Sequence, residues 1–137
     1  MIKKILTVFF GIIFSQSVFA VPATVGYIFD GDTFSAQVKL EDDIKISVRV
    51  RILDIDAPEI SGKCDSEIRD ALRAKKRLEE LLPIGSNVDL QDVKDDKYLG
   101  RIDAHVKTSN GIDISSVMIK EKLVRKYGGG KRYGWCE

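Results

Sequence analysis

Three acids, Asp54, Asp56 and Glu59, crowd the end of the stretch "RVRILDIDAPEI", and Arg49 and Arg51 lie just behind them. A fourth acid, Asp32, follows the tight turn Asp30-Gly31. Carboxylates set where strands enter loops can converge on one hard cation, and calcium takes oxygen ligands of this kind. Taken singly, an aspartate at such a position is more often a turn former or a solvated charge. Arginine changes the balance. Arg51 and Arg101 fall on the polar sides of two strand-like runs, and a guanidinium presents a planar fork that matches phosphate oxygens in pairs. A carboxylate-held cation, two arginines and one free carboxylate are the parts phosphodiester hydrolysis needs. The cation and arginines stabilise charge on a pentacoordinate phosphorus. The free carboxylate activates water.

Elements must place these groups together. Thr24–Phe29 is rich in β-formers and ends at "DGD", and Thr33–Leu40 continues as a second strand. After the polar turn 41–43, Ile46, Val48, Val50 and Ile52 alternate with Lys45, Ser47, Arg49 and Arg51, the period of a half-buried strand. A helix is predicted over Asp65–Leu82. Ile68, Leu72, Leu78 and Leu82 form its stripe, Ala71 and Leu81 widen it, and Lys75 lies at its edge. Asp65 or Ser66 is the expected cap, and "LPIG" the stop. Strands follow at 87–93 and 101–108, the second with Ile102, Ala104 and Val106 on one face and Arg101, Asp103 and His105 on the other. Asn110-Gly111 marks a turn, and a short helix is predicted over Asp113–Leu123, with Ile114, Val117 and Met118 inward. Three strands, a helix, two strands and a helix suggest an α+β, mainly β domain: a five-stranded OB-fold barrel with a helix between strands three and four and a C-terminal helix. An open α+β sheet is the alternative.

Residues 1–20, "MIKKILTVFFGIIFSQSVFA", carry Lys3 and Lys4, an apolar run from Ile5 to Phe14, and a small residue at Ala20. This is the pattern of a Sec-type signal peptide. A membrane anchor is the competing reading, but the apolar run is shorter than the roughly 20 residues a spanning helix needs. The expected domain is therefore 21–137, periplasmic or secreted, without stable membrane association once the signal is cleaved, and a monomer at this size. The full chain has 22 basic and 21 acidic residues. Loss of Lys3 and Lys4 leaves the acids in slight excess, so bulk charge does not argue for a nucleic-acid partner, and any such case rests on local placement. Cys64 and Cys136 in an exported chain suggest one disulfide. Free thiols or a metal pair are the alternatives. A bridge of this span would contribute roughly 4 kcal/mol on the chain-entropy model.

"DGDT" at 30–33, "RILDIDAPE" at 51–59 and "DKYLGR" at 96–101 together resemble the staphylococcal nuclease (thermonuclease-like) family, in the same order and at similar spacing, over about residues 24 to 127. The resemblance implies an OB-fold and calcium-dependent cleavage of DNA and RNA that leaves 3′-phosphates. It also implies that Asp32 and Asp56 are calcium carboxylates and that Ala57, where the best-known pattern has threonine, offers its carbonyl to the same ion. Glu59 matches the general base or water-positioning carboxylate, and Arg51 and Arg101 the phosphate-binding arginines. Lys97 and Tyr98 resemble a pair that contacts a neighbouring phosphate, with Leu99 as an extra residue before "GR". Tyr127 falls near tyrosines of the nucleotide pocket.

The tail adds Lys131, Arg132, Tyr133 and Trp135. Basic groups among aromatics suit a single strand, so the tail is expected either to form one rim of the substrate groove or to be stapled down for stability. Asp54 is read as structural. His105 is read as non-catalytic, the basic run 73–77 as a solvated helix face, and Met118 as core. Two other readings stand beside the nuclease: a non-catalytic nucleic-acid-binding OB module and a secreted structural domain.

Overall fold

The strand expected from Ile44 onward forms, but only its second half faces a core. A computed structural model describes residues 11–13 and 19–136. In chain order it contains β1 (Ala20–Asp30), β2 (Thr33–Glu41), β3 (Ile44–Ile52), β4 (Ile55–Asp56), α1 (Asp65–Leu81), β5 (Asn87–Asp95), β6 (Arg101–Thr108), α2 (Ile114–Lys120) and β7 (Arg125–Lys126). Most of the expected export signal lies outside the described residues. Among them, no helix is long and apolar enough to cross a membrane.

Strands β1, β2, β3, β6 and β5 close into a barrel in that order. The OB-fold expectation holds and the open sheet does not. β3 and β6 meet in parallel over only four pairs, Arg49–Arg101 to Ile52–Ala104. The first half of β3 therefore has only β2 for a partner. Val50 and Ile52 are buried, whereas Ile46 is exposed, contrary to the alternation, and so is Ile44 at the strand start. The β2–β3 hairpin runs on past the barrel, where no second layer covers it. β1 starts earlier than its sequence suggests, because β5 pairs with it from Ala20 to Thr24.

Helix α1 also differs in detail. Its buried residues are Glu67, Ala71, Ala74 and Leu78, and Leu72 is exposed. The buried stripe is rotated from the one drawn through the large apolar residues, because small alanines let the helix approach the barrel closely. A Cβ on Gly31 would lie 2.6 Å from the Cβ of Ala74 and 3.1 Å from that of Ala57, so the β1–β2 turn is wedged between helix and barrel end and admits only glycine. The N-cap is Cys64, with no side-chain cap bond, rather than Asp65 or Ser66. Glu67 reaches back in its place: its carboxylate accepts from the Lys63 amide at 2.9 Å and more distantly from the Glu59 amide at 3.4 Å. α2 is shorter than expected and is capped by Asp113, whose side chain accepts from the Ser116 amide. Phe34, Ile52, Leu78, Leu90, Ile114 and Met118 fill the centre.

Candidate active site

One end of the barrel gathers the groups the sequence singled out. Thr33 on β2 pairs with Arg51 on β3, and Arg51 pairs with Asp103 on β6. The turns beyond these strand ends surround a cleft of about 940 Å³ lined by Asp32, Arg51, Glu59, Arg101 and Tyr127 among others.

Asp32 is fixed by backbone. Its carbonyl accepts from the Ile52 amide at 2.8 Å, and its carboxylate accepts from the Ala57 amide at 2.9 Å and from the Thr33 hydroxyl at 2.8 Å. Ala57 thus ties the first turn to the second. Asp56 is fixed by β4 and β7, a two-stranded pairing of Ile55 with Lys126 and Asp56 with Arg125 that the sequence pattern does not show. Two residues are too short to display a period. Asp32 and Asp56 are only 5% and 3% exposed, so their charges need compensation. Arg51 lies 4.0 Å from Asp56. Burial and the neighbouring Asp32 carboxylate push Asp30 up to about 8, so at neutral pH it largely keeps its proton and adds little charge.

Arg101 is held differently. Its Nη2 donates to Asp96 Oδ1 at 3.0 Å and its guanidinium lies 4.4 Å from the ring centre of Tyr98. Its Nε lies 2.9 Å from Asp96 Oδ2, yet that buried N–H forms no hydrogen bond, its direction being off the oxygen. Partial burial opposes the charge on Asp96, but the Arg101 contacts prevail and bring it down to about 2. Burial, then the nearby Asp96, raise Asp103. Lys97 and Tyr98 also line the cleft, and Leu99 is fully exposed at the loop tip. Leu99 lines the same cleft, so the extra residue is accommodated in its rim. The Tyr127 ring lies 5.4 Å from the Arg51 guanidinium, and its hydroxyl donates to the Gly130 carbonyl at 2.8 Å.

The tail does more than form a rim. Cys64 and Cys136 are bonded, with Cα atoms 6.1 Å apart. Arg132, close before the bridge, reaches Glu59 at 2.9 Å and also hydrogen-bonds Asp56. Partial burial works against its charge, but these two carboxylates outweigh that and raise its pKa further. Sequence reading left the tail either as a rim of the groove or as a segment stapled for stability, and missed that Arg132 enters the carboxylate cluster. Its distance in sequence from both partners leaves no local signal. Glu67 was missed as a support for the Glu59 backbone; a glutamate at the third helical position was the available clue. His105 stands outside the cleft, between Asp54 Oδ2 at 2.6 Å and Asp92 Oδ2 at 2.8 Å.

The donors at the barrel end are hard oxygens, which suit a hard divalent cation rather than a soft metal. Asp32, Asp56 and the Ala57 carbonyl are the candidates to hold it. Among the described residues, the one group of three acid, histidine or cysteine ligand atoms within 4.8 Å of one another is Cys64, Glu67 and Cys136, and its sulfurs are committed to the disulfide. The cleft acids are thus spread more widely, with Arg132 among them. The family pattern for staphylococcal nuclease homologues matches residues 49–132. No curated protein matches the sequence.

Proposed function

The chain belongs to the staphylococcal nuclease homologue family, and from that premise we propose that it is an exported, calcium-dependent nuclease that hydrolyses DNA and RNA and leaves 3′-phosphates. The domain is an OB barrel of a family whose members cut or bind nucleic acids, and hydrolysis in this family depends on a metal. The observation that carries the finer reading is the meeting of Arg51, Arg101, Glu59 and the buried Asp32 on one cleft.

Each group has a role in that reading. Arg51 and Arg101 bind the scissile phosphate and stabilise its added charge in the transition state. Glu59 takes a proton from water as its oxygen attacks phosphorus. The bond from phosphorus to the 5′ oxygen breaks, that oxygen takes up a proton, and the phosphate remains on the 3′ side. Asp32, Asp56 and the Ala57 carbonyl would hold the cation, which when bound polarises the phosphate. Lys97 and Tyr98 contact the next phosphate, and Tyr127 borders the nucleotide pocket. The signal-like residues 1–20 and the disulfide support export to an oxidising compartment.

Digestion of denatured DNA by the purified chain in calcium, then in chelator, beside Asp32→Ala, tests this. Cleavage should vanish in chelator and in the variant. Binding without cleavage in calcium would make the protein a nucleic-acid-binding module.

A further inference from the structure

Arg51 and Arg101 come from barrel strands, whereas Arg132 comes from the segment after β7, which a disulfide ties back to the site. Several contacts shape that return. Gly129 and Gly130 have φ of 98° and 84°, which lets the chain reverse after β7. Arg125 donates to the Gly134 carbonyl at 2.9 Å, and its guanidinium lies 3.6 Å from the ring centre of Trp135. The Cys64–Cys136 bridge then ties the end of the tail to the start of α1. Between these anchors Arg132 sits with its side chain 44% exposed, at the mouth rather than in the core.

Its position divides two spaces. Arg132 and Tyr127 line both the main cleft and a smaller cavity of about 200 Å³, while Asp56 lines only the smaller one. The guanidinium therefore stands between Asp56 and the cleft where Asp32 and Glu59 face. Both carboxylate contacts use the same nitrogen, Nη2, so the guanidinium has donors to spare.

We propose that Arg132 is a third substrate-binding arginine that changes partners as the site fills: it neutralises Asp56 and Glu59 in the resting enzyme and turns to a substrate phosphate in the working one. The inference rests on the nuclease reading above. An Asp56 oxygen that accepts Arg132 cannot also face a divalent cation without setting two like charges side by side. Cation binding therefore competes with Arg132, and such coupling is reciprocal. Once released from Asp56, the guanidinium is still held at the mouth by the bridge, on the side of the cleft where Arg51 lies. The staple holds this glycine-rich segment as a pre-placed phosphate ligand, which lowers the entropy lost on binding.

The two halves of the proposal carry opposite signs, and one substitution reads both. Calcium affinity is measured by calorimetry on the full chain without substrate, and kcat and KM on a single-stranded oligonucleotide. Arg132→Ala should tighten calcium binding roughly fivefold or more. It should raise KM about tenfold, as expected for one charge-assisted contact, and lower the salt dependence of KM by about one counterion. Arg132→Lys should give intermediate values. Cys64→Ser/Cys136→Ser, which frees the tail, should move both quantities in the same directions. Arg73→Ala removes an equal charge from an exposed helix position and should change neither. Unchanged or weaker calcium binding in Arg132→Ala, or an unchanged KM, overturns the proposal while leaving the nuclease reading intact. An unsubstituted chain that neither binds calcium nor cuts the oligonucleotide defeats that reading, and this proposal with it.

Discussion

Two clusters within a few residues of each other use the same device, a cation bridging two carboxylates. At the mouth of the cleft Arg132 joins Asp56 and Glu59; on the outer wall His105 joins Asp54 and Asp92. Asp54 and Asp56 are two residues apart, but the left-handed turn at Asp54 breaks the strand alternation before β4, so the two carboxylates enter different clusters. The difference lies in what carries the cation. His105 belongs to β6, a strand of the closed barrel, and its two partners hold left-handed backbone, with φ of 70° at Asp54 and 52° at Asp92. Aspartate tolerates that conformation better than most residues. The Asp54 carbonyl also accepts from the Tyr127 amide at 2.8 Å. That cluster clips the bulge of β5 to the turn after β3. Arg132 instead rides on a glycine-rich tail and can leave without disturbing the barrel. One pattern fastens the fold, and the other can be exchanged for a ligand.

The largest expected effect separates the clusters by activity. Glu59→Gln should lower kcat by roughly 10²–10⁴, the range for a lost general base, with the melting temperature preserved. His105→Gln should leave kcat near that of the parent. Similar losses from both would end the distinction between a working cluster and a structural one.

The next effect concerns the staple. Cys64→Ser/Cys136→Ser should cost about 4 kcal/mol of stability, within the usual span for a native disulfide closing a long loop. Denaturant unfolding would measure it. A negligible loss would mean that the bridge matters for the tail's position alone.

The smallest effect is the pH response of the outer clip. Burial tends to lower the His105 pKa, but the hydrogen bonds to Asp54 and Asp92 prevail and raise it. Stability from this clip is then fully present below the unfolded histidine value near 6.5 and is lost as pH rises through the higher folded value. Because the ring is partly exposed, the contribution is expected to be a few tenths to about 1 kcal/mol. Unfolding curves between pH 6 and 9 should show this decline in the parent and not in His105→Gln. An equal slope in both would assign the pH dependence elsewhere.

Much of the site was legible because its residues sit beside local signals. "DGDT" marks a turn whose glycine is forced by Ala74 and Ala57, and the alternation through Ile52 places Arg51 on the polar side of a strand. The same alternation misplaced Ile46, since a period of two tells which residues share a face but not whether anything covers it. The helix stripe held at Ala71, Leu78 and Leu82 but missed Ala74 and misplaced Leu72 for a related reason: alanines, too small to dominate a hydrophobic pattern, decide how closely α1 sits. Cys64 and Cys136 were paired from compartment and count, and the bond is present.

By itself the sequence determined the strand and helix order, the barrel, the family and the set of acids and arginines at the strand ends. These follow from periodicity, turn chemistry and short motifs, all of which act within a few residues. Only the tertiary structure decided the β4–β7 pairing that buries Asp56, the reach of Glu67 to the Glu59 amide, the Asp96 grip on Arg101 and the entry of Arg132 into the carboxylates. Each of these depends on where the barrel closes or where the bridge returns the chain. Contacts between residues far apart in sequence leave no period to read, because their geometry exists only once the core has packed.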